Sequence, residues 1–525
     1  MPSLHEFSAV TILSGVVAFI YVLLRAFRHV KARVLGKLPP GPIGFPIVGL
    51  LPFVARFPEL VLHKWANEFG PLFSMRLGNQ LFVVVSDPQV VKDLIVTNGA
   101  IFSSRKEMFM KCEIIFARRG ITAMPYNDAW RKHRRLAALF LTAKAVSEYK
   151  PNLEFEVREM LRALYSQGRA GAVPVNPQAH LSRVSLNNIL TIVFGTRTDS
   201  VDDPLVAHWL MLSREFMNYT GPVANWVDFI PFLRNVPYLP IVSRGKHLHQ
   251  GLVDTCSSLI NDVDRRMKAG EDVPDCMAKY LLRVREEQQL DMLDIVFLCC
   301  AFMIGGVETT AAVKQWFAAH IPAFPLVQAR AQAELDRVVG RDRLPQAEDE
   351  KDLPYVRAIV KEIERVHNPF WLGTPHLSTE DFHYRGHIIP KNTGVIVNTY
   401  TMHNNSRRYP NPQEFNPDRY LTDHHSSAES ANLADPYKRD HWMYGAGRRI
   451  CPGITLAEQE IFLAVAGLLW AFDMQELPSE PIDLHEYDGL SGRSPLPFRV
   501  KMVPRHESVA EVLGTADIPC DVGVA

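Results

Sequence analysis

The run Tyr444-Gly-Ala-Gly-Arg-Arg-Ile-Cys-Pro-Gly453 combines one thiol with closely spaced glycines and arginines. Gly445, Gly447 and Gly453 let the backbone pass close to a flat ligand that any Cβ would strike. Pro452 suits the first turn of a following helix, which puts Cys451 at that helix's N-terminus. There the helix dipole and free amides lower a thiol pKa and hold a thiolate, the form that binds metal. Arg449 lies two residues before the sulfur, placed to pair with a carboxylate at the rim of the same ligand. A buried cysteine in a glycine-rich turn is the plainer alternative, but it explains neither the glycines nor the arginine.

A second set of groups sits at the end of the apolar stretch Ile295–Thr310. The stretch reads as a helix buried on nearly all sides, with Ala301, Gly305, Thr309 and Ala312 on one face. The pair Gly305-Gly306 inside a helix costs stability and calls for a reason; a locally widened turn supplies one. Glu308 and Thr309, an acid beside an alcohol, can relay protons. A core helix with a polar end is the alternative.

The cysteine loop resembles the haem-binding signature of cytochromes P450, F-x-x-G-x-R-x-C-x-G, with Tyr444 where Phe is usual. Tyrosine keeps the aromatic packing and adds a hydroxyl that needs a partner. The resemblance implies that Cys451 is the axial ligand of haem b (iron protoporphyrin IX), where a thiolate favours O–O cleavage. Gly445 and Gly453 would then belong to the cofactor cradle, with Arg449 at a propionate. The segment ending in Glu308-Thr309 is similar to the family's oxygen-activation motif, A/G-G-x-D/E-T-T/S, which implies a proton relay through those two residues. Trp130-Arg-Lys-His-Arg134 resembles the W-x-x-x-R helix, which implies that Trp130 and Arg134, one turn apart, reach the propionates. His133 and Arg135 are expected to face solvent. His376 falls where the family offers a side chain to a propionate, and Arg105 is a further candidate. Glu362-Ile-Glu-Arg365 resembles the E-x-x-R helix and Pro417-Asp-Arg419 the later segment whose arginine completes a Glu–Arg–Arg cluster, a structural role. Asp418 stands where Glu is usual.

This resemblance spans about residues 38–505 and implies a haem-dependent monooxygenase acting on a medium-sized, mostly apolar small molecule. The motifs are closest in style to fungal microsomal members of secondary metabolism, with hydroxylation as the expected reaction. Desaturation, ring closure or phenol coupling on the same fold, and a haem sensor without turnover, are the alternatives. Substrate walls are expected from residues 105–126, 210–240 and 297–312, from Phe370-Trp371-Leu372 and from Leu490-Ser491. The chain carries no flavin or nicotinamide fingerprint, so electrons are expected from NADPH through a separate NADPH–cytochrome P450 reductase.

The elements that must position these groups are mainly helical, with a smaller β-rich region. Leu72–Leu77 and Leu81–Val85 flank Gly78-Asn79, which predicts a hairpin. Helical patterns dominate from Pro88 to about residue 370. A second β-rich stretch covers Phe382–Tyr384, His387–Ile389 and Gly394–Val397, and residues 421–435 read as a loop. A last apolar helix is expected from Pro452 to about Phe472. Four segments result: an anchor over 1–30, a basic and proline-rich hinge over 31–46, a catalytic domain over 47–508 and a tail over 509–525.

The anchor rests on Phe7–Leu24, which holds no charged side chain and as a helix measures about 27 Å, close to the hydrocarbon thickness of a membrane. Arg25, Arg28, Lys31, Arg33 and Lys37 follow it, so the body is expected in the cytosol, on the endoplasmic reticulum membrane, in contact with lipid. A cleaved signal peptide fits less well, since no basic start precedes the run. Hydrophobic residues make up 47% of the 525, and 57 Lys and Arg balance 57 Asp and Glu. That balance gives ample core and no basic footprint for nucleic acid. Seven cysteines without a CxxC pair argue against a disulfide scaffold.

Overall fold

The computed structural model describes residues 37–515 apart from Ala55. The expected anchor, most of the basic segment behind it and residues 516–525 lie outside the described residues. The largest sheet grows from the expected hairpin. Strand β1 (Leu72–Leu77) turns at Gly78-Asn79 into β2 (Gln80–Val85), with Leu77 opposite Gln80. The later strands are β3 (Ser104–Arg105), β4 (His376–Leu377), β5 (Phe382–Tyr384), β6 (His387–Ile389) and β7 (Gly394–Val397). Five of these form one sheet in the order β1-β2-β7-β4-β3, while β5 and β6 make a separate hairpin. β2 and β7 run parallel, from Phe82 opposite Gly394 to Val85 opposite Val397. β3 pairs antiparallel with β4, which sets Arg105 directly across from His376.

Helices make up most of the remainder. Those that frame the site are α1 (Pro58–Phe69), α2 (Asp128–Ala138), α3 (Ala143–Gln167), α4 (Gln178–Phe194), α5 (Pro204–Thr220) and α6 (Pro240–Lys268). They are followed by α7 (Met292–Gly306), α8 (Glu308–His320), α9 (Pro354–Val366) and α10 (Ile454–Ala471). α8 and α10 are apolar on most faces because α3 and α4 cover them, and Ile461–Ala471 is buried without interruption. Such helices are apolar enough to cross a membrane, yet about three-quarters of their windows are buried inside the protein.

Three boundaries differ from the sequence reading. The helix after the thiol starts at Ile454 with Gly453 as its N-cap, so Pro452 sits in the turn before it. The loop over 421–435 holds one helical turn, Ser427–Ser430, fixed by a capping box between Ser426 and Glu429. The expected tail from residue 509 begins inside a helix, α11 (Ser508–Leu513), whose Val509 and Leu513 are buried. Two apolar side chains three to four residues apart suffice to hold that turn against the body.

The helix expected through Thr310 breaks at Val307 into α7 and α8. The Thr309 hydroxyl donates to the Gly305 carbonyl at 2.6 Å, and the Thr310 hydroxyl to the Gly306 carbonyl at 2.7 Å. Hydroxyls that bond back one turn compete with the amide ladder and bend a helix, and consecutive glycines let it open there. On the far side, Ser185 hydrogen-bonds Thr310 at 2.8 Å and Glu460 at 2.6 Å, and the buried Lys314 ammonium reaches the same Glu460 oxygen at 2.6 Å. This network ties the break to α10.

Candidate functional site

The cysteine loop closes on itself: the Cys451 amide donates to the Tyr444 carbonyl at 2.9 Å and Gly445 N–H to the Trp442 carbonyl at 3.1 Å. Gly447 needs its glycine twice over, since φ is +62° and a Cβ would stand 2.5 Å from the Ile95 carbonyl oxygen. Gly445 is also left-handed, but a Cβ there would meet open space. Cys451 is partly exposed. Its thiol is pushed up by desolvation, against the opposing pulls of the Gly453 amide and the Arg134 guanidinium. The lowering expected from the helix start is present through the Gly453 amide, but desolvation outweighs it. A bound cation would restore the thiolate, since coordination deprotonates a thiol outright.

At the break between α7 and α8, Gly305 is exposed with nothing within 4 Å of an added Cβ, and the Thr309 hydroxyl lies against its carbonyl. Glu308 points elsewhere. Its carboxylate pairs with Arg214 of α5 at 2.8 Å and is buried. Burial raises its pKa, Arg214 opposes this, and Asp488 adds to the rise. Acid and alcohol are thus neighbours whose hydrogen bonds run to different partners, and Arg214 is a member of the site that the sequence reading missed.

Around the thiol the structure gathers cations. Arg449 Nε and Nη2 donate to the Ser103 and Met124 carbonyls, each at 2.7 Å, and its guanidinium lies 4.0 Å over the Trp130 ring. Arg134 donates to the Ile450 carbonyl at 2.5 Å, and Arg105 to the Thr374 carbonyl at 2.5 Å. Lys111, which the sequence reading also missed, reaches the Thr374 hydroxyl at 3.0 Å. Burial and mutual repulsion depress these groups, Arg449 to about 8 and Arg105 to about 9; burial likewise takes Lys111 to about 8. Among the described residues, no carboxylate lies within ion-pair distance of Arg105, Lys111, Arg134 or Arg449, and Arg105 Nε is buried without an acceptor. Unpaired buried charge on this scale calls for an anion.

Two expected propionate partners are placed differently. The Trp130 indole N–H donates to the Ile121 carbonyl at 3.0 Å. His376 Nδ1 lies 2.8 Å from the Phe102 carbonyl, which can only accept, so that nitrogen carries the proton. Burial and the Arg105 charge hold the ring neutral, and a neutral ring then offers Nε2 only as an acceptor. His133, expected at the surface, is buried 3.5 Å from Asp294, where α2 leans on the start of α7.

Beneath the loop, Glu362 holds Arg365 in a bidentate pair, both contacts 2.7 Å, and takes a third bond from Arg419 at 3.2 Å. Asp418 faces outward to Arg330 at 2.7 Å. The extra hydroxyl of Tyr444 has its partner: it donates to Glu364 at 2.6 Å, and Glu364 also pairs with His441 at 2.8 Å.

A family profile described as Cytochrome P450 matches residues 39–502. The chain belongs to the cytochrome P450 family. Its relatives include cytochrome P450 monooxygenase virE of Hypocrea virens, 34% identical over 510 residues, covering 95% of this chain and 90% of that protein. Cytochrome P450 monooxygenase fogE of Aspergillus ruber is 32% identical over 486 residues, 91% of this chain and 88% of its own. Cytochrome P450 monooxygenase pgmC of Aspergillus terreus is 29% identical over 523 residues, 97% and 93% respectively. The protein is a haem monooxygenase of this family, an oxidoreductase that incorporates oxygen and needs a redox partner and a small-molecule substrate. The residues present fit the haem: a partly exposed thiol, a face cleared at Gly305 and Gly445, and buried cations suited to two propionates.

Proposed function

We propose that this cytochrome P450 hydroxylates a medium-sized, mostly apolar molecule in secondary-metabolite biosynthesis, taking electrons from NADPH through NADPH–cytochrome P450 reductase. Residues 1–30 anchor it to lipid at the endoplasmic reticulum, residues 31–46 form the hinge, and the catalytic body faces the cytosol. The observations that support the reading are the open space at Gly305 with the Thr309 hydroxyl against its carbonyl, and a thiol beside Arg134 at the edge of a cluster of unpaired cations.

Haem b, when bound, supplies activation of dioxygen and transfer of one oxygen atom to substrate. Cys451 would ligate the iron through Sγ, and Gly445 and Gly453 would give the loop the room to hold the haem. Arg449, Arg134 and Arg105 would hold the propionates, while the Trp130 ring supports the Arg449 guanidinium. His376 serves as their neutral neighbour and donates to a propionate only when protonated. Thr309 Oγ1 holds a proton beside the open space at Gly305, against the Gly305 carbonyl. Glu308 is the buried acid behind it, reached from solvent along the partly exposed Arg214.

The test is the reduced carbon monoxide spectrum and turnover of Cys451→Ser and Cys451→Ala beside wild type. Wild type is expected to give the thiolate-type band and to oxidise substrate with reductase and NADPH, and both variants to lose band and turnover. A variant with an unchanged band removes Cys451 from the iron.

A further inference from the structure

A small cavity lies between the start of α1, the segment after α9 and the stretch leading to the last strands. Its lining includes Glu59, Phe370, Trp371, Leu372, Ser491 and Arg493, and it measures about 20 Å³, room for one or two oxygen-sized atoms. Its lining mixes polar and apolar groups, and the polar wall at Glu59 and Arg493 is built. Arg493 is 4% exposed and Glu59 fully buried. Arg493 Nη2 donates to Glu59 Oε2 at 2.8 Å, while the other Glu59 oxygen takes the Tyr487 hydroxyl. The Tyr487 ring covers one face of the guanidinium at 4.1 Å. The Arg493 carbonyl receives the Trp316 indole at 3.1 Å, which fixes its backbone to α8. Arg493 Nη1 is buried and has no acceptor in the protein.

A guanidinium neutralised by a carboxylate and held from three sides, yet left with one buried donor, is a half-made hydrogen bond. Leaving it unmet carries a desolvation penalty, which an incoming acceptor removes. The wall also borders the reacting region on two sides. Gly373 ends the lining segment, and the next residue, Thr374, takes both Arg105 and Lys111 of the cation cluster. Gly492 and Ser494, on either side of Arg493, both accept from Arg214, the partner of Glu308.

Building on the monooxygenase reading, we infer that Arg493 Nη1 anchors the substrate by a carbonyl oxygen, so the enzyme selects ketone-bearing apolar molecules over their hydrocarbon counterparts. The cavity admits the oxygen, and Phe370, Trp371 and Leu372 flank the apolar body. A free carboxylate fits less well, because Glu59 already neutralises the guanidinium and a second anion would meet its field.

The experiment uses haem-loaded full-length protein and two probes of nearly equal shape, 1-tetralone and tetralin, titrated by the Soret shift that follows binding. Wild type is expected to bind the ketone roughly ten- to hundredfold more tightly, the range for a hydrogen bond to a charged donor. Arg493→Lys keeps a cation for Glu59 but loses the planar fork, and the preference should fall to about twofold or less. Arg493→Gln, a second replacement, should lose it likewise. Equal affinity for the two probes in wild type, no ketone binding, or an unchanged preference in a folded variant each overturns the inference. Loss of the thiolate-type carbon monoxide band in wild type would instead mark failure of the underlying haem reading, so the two are told apart before any titration.

Discussion

Replacing Arg214 by glutamine isolates the electrostatics of Glu308. The wild-type contact is 2.8 Å, with Arg214 26% and Glu308 8% exposed at the side chain. Removing one member of a buried ion pair costs about 3–5 kcal/mol; because Arg214 is partly wet, roughly 2–3 kcal/mol is the fair figure here. Burial already raises the Glu308 pKa above the ordinary carboxylate value, and Arg214 is the group that opposes the rise. Without it the neutral acid gains further, and the ionisation of Glu308 should move to higher pH. The sign follows from linkage. A carboxyl whose folded pKa lies above its unfolded one contributes full stability below the unfolded pKa and loses it as pH rises through the folded pKa. Arg214→Gln should therefore melt closer to wild type at the acid end of the range, where the neutral acid is favoured, and roughly 3–5 °C lower at pH 8. Arg214→Lys, which keeps the charge, should track wild type. The assay is the melting temperature of the haem-loaded protein from pH 5 to 9. An identical deficit at both ends of that range would assign Arg214 to packing against Gly492 and Ser494 and refute a charge role for the pair.

Further outcomes follow from the same geometry. Thr309→Ala should keep substrate binding and NADPH consumption but release mostly hydrogen peroxide, a loss of ~10²–10⁴ in productive proton transfer, and Thr309→Ser should recover much of it; product per NADPH measures this. Tyr444→Phe removes the donor to Glu364 but leaves the His441 pair, so it should cost about 1.5–3 kcal/mol in thermal unfolding and keep the thiolate-type carbon monoxide band. Glu362→Gln strands Arg365 and Arg419 in the interior, a cost of about 3–5 kcal/mol that should appear as lost yield of haem-loaded protein.

The parts legible in the sequence were those in which residue type alone dictates geometry. The Gly78-Asn79 turn and the three-residue spacing of Glu362 and Arg365 are local facts, and the structure shows both as read, whereas Gly447 is required by the Ile95 carbonyl, a distant partner. What escaped depends on partners far along the chain. Two-residue strands such as Ser104–Arg105 and His376–Leu377 have no periodicity to detect and exist only because distant strands pair with them. Arg214 and Arg493 look like surface arginines until Glu308 and Glu59 are brought to them. Lys111 did leave a trace: a lone ammonium among Met108, Met110, Cys112, Ile114 and Ile115 has no apolar reason to be there. The break at Val307 was half visible, since the glycine pair marked the place, whereas the threonine hydroxyls that complete it act one turn back.

The parallel pairing of β2 with β7 sets a timetable for synthesis. Phe82–Val85 emerges early from the ribosome, but its partner Gly394–Val397 follows about 310 residues later, which at roughly 5–20 residues per second is some 15–60 seconds. For that interval one edge of an apolar strand stands without its neighbour, open to pairing with another nascent chain. Slower translation across the middle of the message lengthens this window and faster translation shortens it. The yield of native protein should therefore respond to codon choice between the two strands, at constant amino-acid sequence.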